Sequence, residues 1–342
     1  MSNENAVKKT LRITDLLLSV AVVVLAVSVL LLSLEYYSLS GKYQSLSAPS
    51  NATISSRANS TPPSSNSSFG STLKGIDTPF NSTELSIINN APDSYFEKAG
   101  EMLLNSTLND QVVFSMVPNN TKFNAFYVNG KPSVIYIGTI SCIFCGENKW
   151  AMALALSRFG SFSKLYKGYS SFGDGDIPTI YWIADNYTTP AGVGYGNYYS
   201  SNYINFISSD YESPIKQGFQ IQPLSYFISK SPNATYTKAI SFMNSTNLFQ
   251  GTPFTFWGNI IVGGADAVVF GNSTPSSTTL PLTYMTHSQV LSQLKNFNDQ
   301  FSWGEYAGAD IYISYVCPTI NNSAPVCSLP AIKAIEKVEG LA

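Results

Sequence analysis

Cys142 and Cys145 are the residues of this chain whose type and spacing point most directly to chemistry. They sit in Thr139-Ile140-Ser141-Cys142-Ile143-Phe144-Cys145, between an apolar run rich in β-branched residues and an Ala/Leu/Met-rich segment. The first reads as a buried strand and the second as a helix. Cys142 then falls at the helix start, where backbone N–H groups lack partners and the helix dipole favours negative charge. A thiolate is stabilised there, and the thiolate is the nucleophile. Cys145 lies one turn on, placed to attack a mixed disulfide formed by Cys142. Two other uses of the pair stand beside redox exchange: an inert disulfide, or half of a zinc site. Zinc lacks partners, because Cys317 and Cys327 are too widely spaced for a second knuckle and His287 is the single histidine. No metal and no organic cofactor is expected.

The elements that must position the pair follow from patterning. Val134 to Gly138 is the strand, and the helix is expected to stop at Gly160. Phe126-Tyr127-Val128 and Val134-Ile135-Tyr136 flank Asn129-Gly130, a favoured hairpin turn. Thr179 to Ala184 reads as a second buried strand, so strand, helix and strand predict a parallel pair. Residues 186–250 read as an insertion with a tyrosine cluster (Tyr195, Tyr198, Tyr199, Tyr203, Tyr211), a strand at Tyr203 to Ile207 and a helix from Tyr236 to Met243. The tyrosines suit a binding surface or ordinary packing equally. After Gly251-Thr252-Pro253 comes a hairpin of Phe254 to Trp257 with Ile260 to Gly263, its proline at the first strand position. Helices are expected over Ser288 to Phe301 and Ala309 to Cys317, the latter ended by Pro318. An earlier one is capped by Asp93 and carries Phe96, Ala99 and Leu103 at helical spacing.

Among the 342 residues, 44% are hydrophobic, enough for a core, and only 12% are charged, about half the usual share. Net charge is −2, which offers no basic face for nucleic acid. So few ionisable groups also suit an acidic exterior. Residues 1–15 form a short head with Lys8, Lys9 and Arg12. Residues 16–34 form an apolar run close to the ~20 residues that span a bilayer. No small-residue cleavage site follows, so the run reads as an uncleaved transmembrane anchor with the basic head in the cytoplasm and the rest outside. Residues 35–75 are rich in Ser, Thr, Asn and Pro and read as a tether, with an r.m.s. span of ~30 Å. Residues 76–342 form the extracytoplasmic domain, with a tail from residue 309. An exported chain with four cysteines implies an oxidising compartment. Cys317 and Cys327 are then expected to join each other as a staple, a second redox relay being the alternative. Sequons such as Asn81-Ser82-Thr83 and Asn105-Ser106-Thr107 are possible glycan acceptors, although chance alone yields many in so Asn-, Ser- and Thr-rich a chain.

The order strand, Cys-x-x-Cys helix, strand, insertion, Thr-Pro, hairpin, helix resembles the thioredoxin-like superfamily over roughly residues 112–301. The resemblance implies an α/β fold with a central mixed sheet flanked by helices. It implies a large insertion before the strand that opens with a cis-proline. Thr252-Pro253 matches that proline, which in the superfamily faces the active cysteines. More closely, the chain resembles an uncharacterised archaeal family of membrane-anchored thioredoxin-like proteins from hot, acidic habitats. Thr139 to Cys145, Leu156-Ser157-Arg158-Phe159-Gly160 and the Cys317/Cys327 tail carry that likeness. Two departures stand out. Ile143-Phe144 replaces the His that many oxidising members hold between the cysteines. The preceding strand offers no Asp or Glu as a buried proton acceptor. Lys149 reads as a solvated charge, and Glu147 opposes a thiolate while ionised. Two functions follow. One is a membrane-anchored thiol–disulfide oxidoreductase acting on cysteines of exported proteins, with Cys142, Cys145, Thr252 and Pro253 as its site and an unidentified recycling partner. The other is a cell-surface binding or structural module with permanent disulfides.

Overall fold

The computed structural model describes residues 78–105, 111–115, 121–122, 124–138, 142–170, 177–183, 197–210, 212–215, 218–221, 234–245, 253–269, 282 and 285–341. Two helices, Ser82–Asn89 (α1) and Asp93–Leu104 (α2), precede strands Gln111–Ser115 (β1), Thr121–Lys122 (β2), Tyr127–Val128 (β3) and Lys131–Gly138 (β4). Helix Ile143–Ser157 (α3) follows. Next come strands Gly160–Lys164 (β5), Tyr166–Ser170 (β6), Ile177–Tyr181 (β7), Tyr198–Ser201 (β8), Asn205–Asp210 (β9), Glu212–Ile215 (β10) and Gly218–Ile221 (β11). Helix Ala234–Ser245 (α4), strands Phe254–Trp257 (β12) and Ile260–Val269 (β13), and helices His287–Asn296 (α5), Gln300–Val316 (α6) and Pro330–Val338 (α7) complete the order. Among the described residues no helix is long and apolar enough to cross a membrane. The expected anchor and tether lie outside them, as does Thr252.

The chain forms a mixed α/β structure around a seven-stranded sheet. β4 is its axis. β9 runs parallel to it on one side, from Ser133 opposite Asn205 to Gly138 opposite Asp210. β12 runs antiparallel to it on the other, with Phe254 opposite Ile137. β13 pairs antiparallel with β12, and β1 and β2 both pair with β13. The hairpin into β4 turns at Asn129 and Gly130, both with positive φ, 50° and 77°, a geometry that Asn-Gly favours.

Strand alternation sorts the residues into two faces. Val134 and Tyr136 of β4 share a face with Thr255 and Trp257 of β12. Trp257 stacks on Tyr312 of α6, with ring centroids 4.1 Å apart. On the opposite face Phe254 and Phe256 pack edge to face, and Phe256 also meets Phe126 and Phe242 of α4. α6 is buried almost all round from Ser302 to Val316, because β13, α2, α3 and α7 all pack on it.

Several sequence expectations need correction. The parallel partner of β4 is β9, not Thr179 to Ala184. The segment at Thr179 belongs to β7, which pairs antiparallel with β6 in a separate two-stranded sheet. Both are short buried strands, and composition alone does not say which one reaches the axis. A strand of the central sheet therefore lies inside the stretch 186–250 read as an insertion, and α4 follows it there. Residues between α3 and β9 instead build the side sheets. Gly160 is not a helix cap: α3 ends at Ser157 with Arg158 as its C-cap, and Gly160 opens β5. The helix expected over Ser288 to Phe301 is two helices, broken where Phe297 adopts φ 49°. α6 begins earlier than Ala309, at an Asp299 cap whose side chain accepts from Ser302 N–H. α7, opened by Pro330, was not foreseen.

Candidate functional site

Cys142 is the N-cap of α3, with φ −77° and ψ 116°, and its Sγ accepts the Cys145 backbone N–H at 3.2 Å. The strand leading into it ends only four residues earlier, at Gly138. Cys142 is half-buried and Cys145 buried, so Cys142 is the more accessible residue. Pro253 is buried and directly precedes Phe254, the partner of Ile137. The β4/β12 register thus brings Pro253 to the same sheet end as the cysteines. Thr252 and the Thr252–Pro253 peptide lie outside the described residues.

Beneath the cysteine turn lies a polar cluster that sequence reasoning missed. Lys149, one turn beyond Cys145, is not a solvated charge: it is 1% exposed. Its Nζ donates to Asp210 Oδ2 at 2.9 Å. Tyr136 donates its phenolic proton to Asp210 Oδ1, also at 2.9 Å. The Lys149 ammonium also lies 5.2 Å from the Tyr136 ring centroid and 5.5 Å from that of Tyr181, within cation–π range. Burial, followed by the Asp210 charge and then Cys145 and Cys142, pushes the Tyr136 phenol well above its ordinary pKa. The phenol therefore stays protonated and donates to Asp210. The preceding strand carries no acid, but one stands at the end of the neighbouring strand, bonded to Tyr136. The signal was an Asp closing the short run Asn205-Phe206-Ile207-Ser208-Ser209, legible only once β9 is known to pair with β4.

Burial pushes the Glu147 carboxyl up to about 8. At neutral pH it is thus largely protonated, so the opposition expected of its ionised form is largely absent. Glu305 of α6 is likewise raised by burial and by Glu147. His287 is also buried, and desolvation lowers it to about 4. Its Nε2 donates to the Thr179 carbonyl at 2.9 Å.

The β6–β7 hairpin lies along one flank of α3. Ser170 Oγ donates to the Cys142 carbonyl at 2.6 Å, Thr179 Oγ1 donates to the Gly146 carbonyl at 2.7 Å, and Trp150 Nε1 donates to the Pro178 carbonyl at 3.0 Å. Residues 142, 146 and 150 form one i, i+4, i+8 row of the helix.

Cys317 and Cys327 form a disulfide, with Cα atoms 5.6 Å apart. It is remote from the Cys-x-x-Cys turn by topology. Thr319, two residues after Cys317, lies against Gly258 in the β12–β13 turn, at the end of the sheet opposite to Gly138. Among the described residues no group of three or more His, Cys, Asp and Glu side chains could hold a metal ion.

Residues 119–318 match the family described as "Domain of unknown function (DUF929)", and the chain belongs to that family. The matched span runs from β2 to just past α6, and so contains both Cys142 and Cys145 and the whole Tyr136–Asp210–Lys149 cluster. No curated protein and no solved structure matches the chain.

Proposed function

We propose that this protein is a thiol–disulfide oxidoreductase of thioredoxin-like architecture, anchored in the membrane by residues 16–34 and acting on cysteines of exported proteins. The observation that carries the proposal is the placement of Cys142 at the N-cap of α3, with its sulfur on a first-turn N–H, above the buried Tyr136–Asp210–Lys149 cluster. The strand order β13–β12–β4–β9, with β9 parallel and β12 antiparallel to the strand before the cysteines, supports the architecture. So does Pro253 at the start of β12.

The exchange divides into two steps. The Cys142 thiolate attacks one sulfur of a substrate disulfide, forming a mixed disulfide and releasing the other sulfur as a thiolate. Cys145 then loses its proton and attacks the Cys142 sulfur, which frees the second substrate sulfur. The substrate disulfide is reduced and the Cys142–Cys145 dithiol is oxidised. Run backwards, the same steps oxidise a substrate dithiol. Asp210 takes up the Cys145 proton through the Tyr136 phenol, which passes its own proton to the carboxylate as it accepts the other. Lys149 fixes the position of the Asp210 side chain through its 2.9 Å contact. Burial keeps Glu147 uncharged, so no second negative charge competes with the thiolate.

The experiment is catalysis of disulfide exchange in an unfolded, disulfide-bonded protein by the full-length chain in detergent, driven by a glutathione buffer. Exchange should proceed well above the buffer rate and disappear in Cys142→Ala. A rate equal to the buffer alone would favour the binding-module function instead.

A further inference from the structure

We propose that Ser170 and Thr179 of the β6–β7 hairpin are positioning residues for the Cys142–Cys145 pair: they hold the first turn of α3 by its carbonyl groups, and so set the reactivity of Cys142. The inference rests on the redox function proposed above. The hairpin lies outside the central sheet and supplies no strand to it. It is fastened to α3 along the row that begins with the cysteine. Ser170 reaches the carbonyl of Cys142 itself, and Thr179 reaches that of Gly146 one turn on. Trp150 closes the row against Pro178. The approach is close enough to need a glycine. A Cβ at Gly146 would stand 2.6 Å from Ser170 Cβ and 2.9 Å from its Oγ. The hairpin is braced from behind by the bond from His287 Nε2 to the Thr179 carbonyl, and Tyr169 packs edge to face on the His287 ring at 5.0 Å.

The connection to reactivity is geometric. The Cys142 carbonyl accepts two donors, the Gly146 N–H at 3.0 Å and the Ser170 hydroxyl. Those two bonds fix the peptide plane that follows Cys142. The orientation of that plane sets the ψ angle of Cys142, which brings its Sγ onto the Cys145 N–H. Thiolate stabilisation at a helix start falls off within the first turn, so a small rotation there is costly. The second donor also draws negative charge off the carbonyl nearest the sulfur, which favours the thiolate. Without the Ser170 hydroxyl the plane loses one of these two bonds, and the sulfur loses both effects.

The test is the pH profile of Cys142 alkylation in the reduced full-length chain, followed cysteine by cysteine by mass spectrometry. It compares wild type with Ser170→Ala, Thr179→Val and Thr179→Ser. Ser170→Ala and Thr179→Val each delete one hydroxyl donor at a different turn, so a folding failure of one leaves the other. Both should raise the midpoint by about one pH unit, slowing alkylation below the midpoint roughly tenfold. Thr179→Ser, which keeps the hydroxyl, should stay within about twofold of wild type. A depressed midpoint in wild type that both deletions leave in place would overturn the positioning role while leaving the redox function standing. A wild-type midpoint at the ordinary ~8.5 of a free thiol would remove the redox function and this role with it.

Discussion

The Lys149 ammonium sits 2.9 Å from the Asp210 carboxylate, with side chains only 1% and 5% exposed. Ions are rarely withdrawn from water to this degree, and desolvation of such a pair rivals its attraction. A pair kept under those terms, four residues beyond Cys145 and bonded to the Tyr136 phenol, fits a role in proton transfer better than one in stability. Breaking it should be severe. Lys149→Met strands the carboxylate and should cost roughly 3–5 kcal/mol in chemical denaturation. The double variant Lys149→Met/Asp210→Leu should recover most of that loss, yet exchange should stay slow because the proton acceptor is gone. Full recovery of exchange in the folded double variant would show that the pair is structural.

Stability should rise as the pH falls from 8 towards 4.5. Glu147 has a folded pKa of about 8, against a value near ~4.3 for an exposed glutamate. Between those values the folded chain binds more protons than the unfolded one, so stability falls with rising pH. Glu305 and Asp310 act in the same sense, since burial raises both. His287 acts in the opposite sense. Its folded pKa is about 4, so its contribution is intact above ~6.5 and is lost as the pH falls through 4. Thermal melts should therefore show a maximum in mildly acidic buffer. Glu147→Gln should flatten the alkaline fall by an amount on the order of a few kcal/mol. A maximum above pH 8 would contradict the buried carboxyl assignment.

How much of this was legible beforehand depends on the range of the interactions. Cys142 at a helix start, the Asn129-Gly130 turn and the proline before Phe254 are written within a few residues, and local chemistry suffices to read them. Which strand lies beside β4 is a long-range matter. Thr179 to Tyr181 and Asn205 to Ile207 look alike as short candidate strands, each a polar residue followed by two large apolar or aromatic ones, and choosing the wrong one hid Asp210. The same choice left Lys149 looking like a surface charge, because a lone lysine on a helix gives no sign of a carboxylate 61 residues on. Ser170 and Thr179 act across a side sheet that no local pattern announces.

The Cys317–Cys327 disulfide closes a loop with a sequence separation of 10. In the chain-entropy account it should contribute roughly 3 kcal/mol. Cys317→Ala/Cys327→Ala should lose about that much stability while leaving Cys142 alkylation unchanged, because the bond lies at the far end of the sheet. A change in Cys142 reactivity at constant fold would instead tie the two pairs into one relay.

Topology is open to a direct assay. Lys8, Lys9 and Arg12 precede the apolar run of residues 16–34, a charge order that retains the head in the cytoplasm. Protease added to intact cells should degrade the domain that carries Cys142. Protection until the cells are lysed would place that domain inside.

The central claim is that Cys142 exchanges disulfides with other proteins. In Cys145→Ala, expressed in cells and quenched with acid, the mixed disulfide has no resolving thiol and should persist. Non-reducing electrophoresis should then show adducts that collapse on reduction, joined through Cys142 to cysteines of exported proteins and missing from Cys142→Ala/Cys145→Ala. Equal adducts in that double variant, or none in Cys145→Ala that is folded and membrane-bound, would contradict the claim.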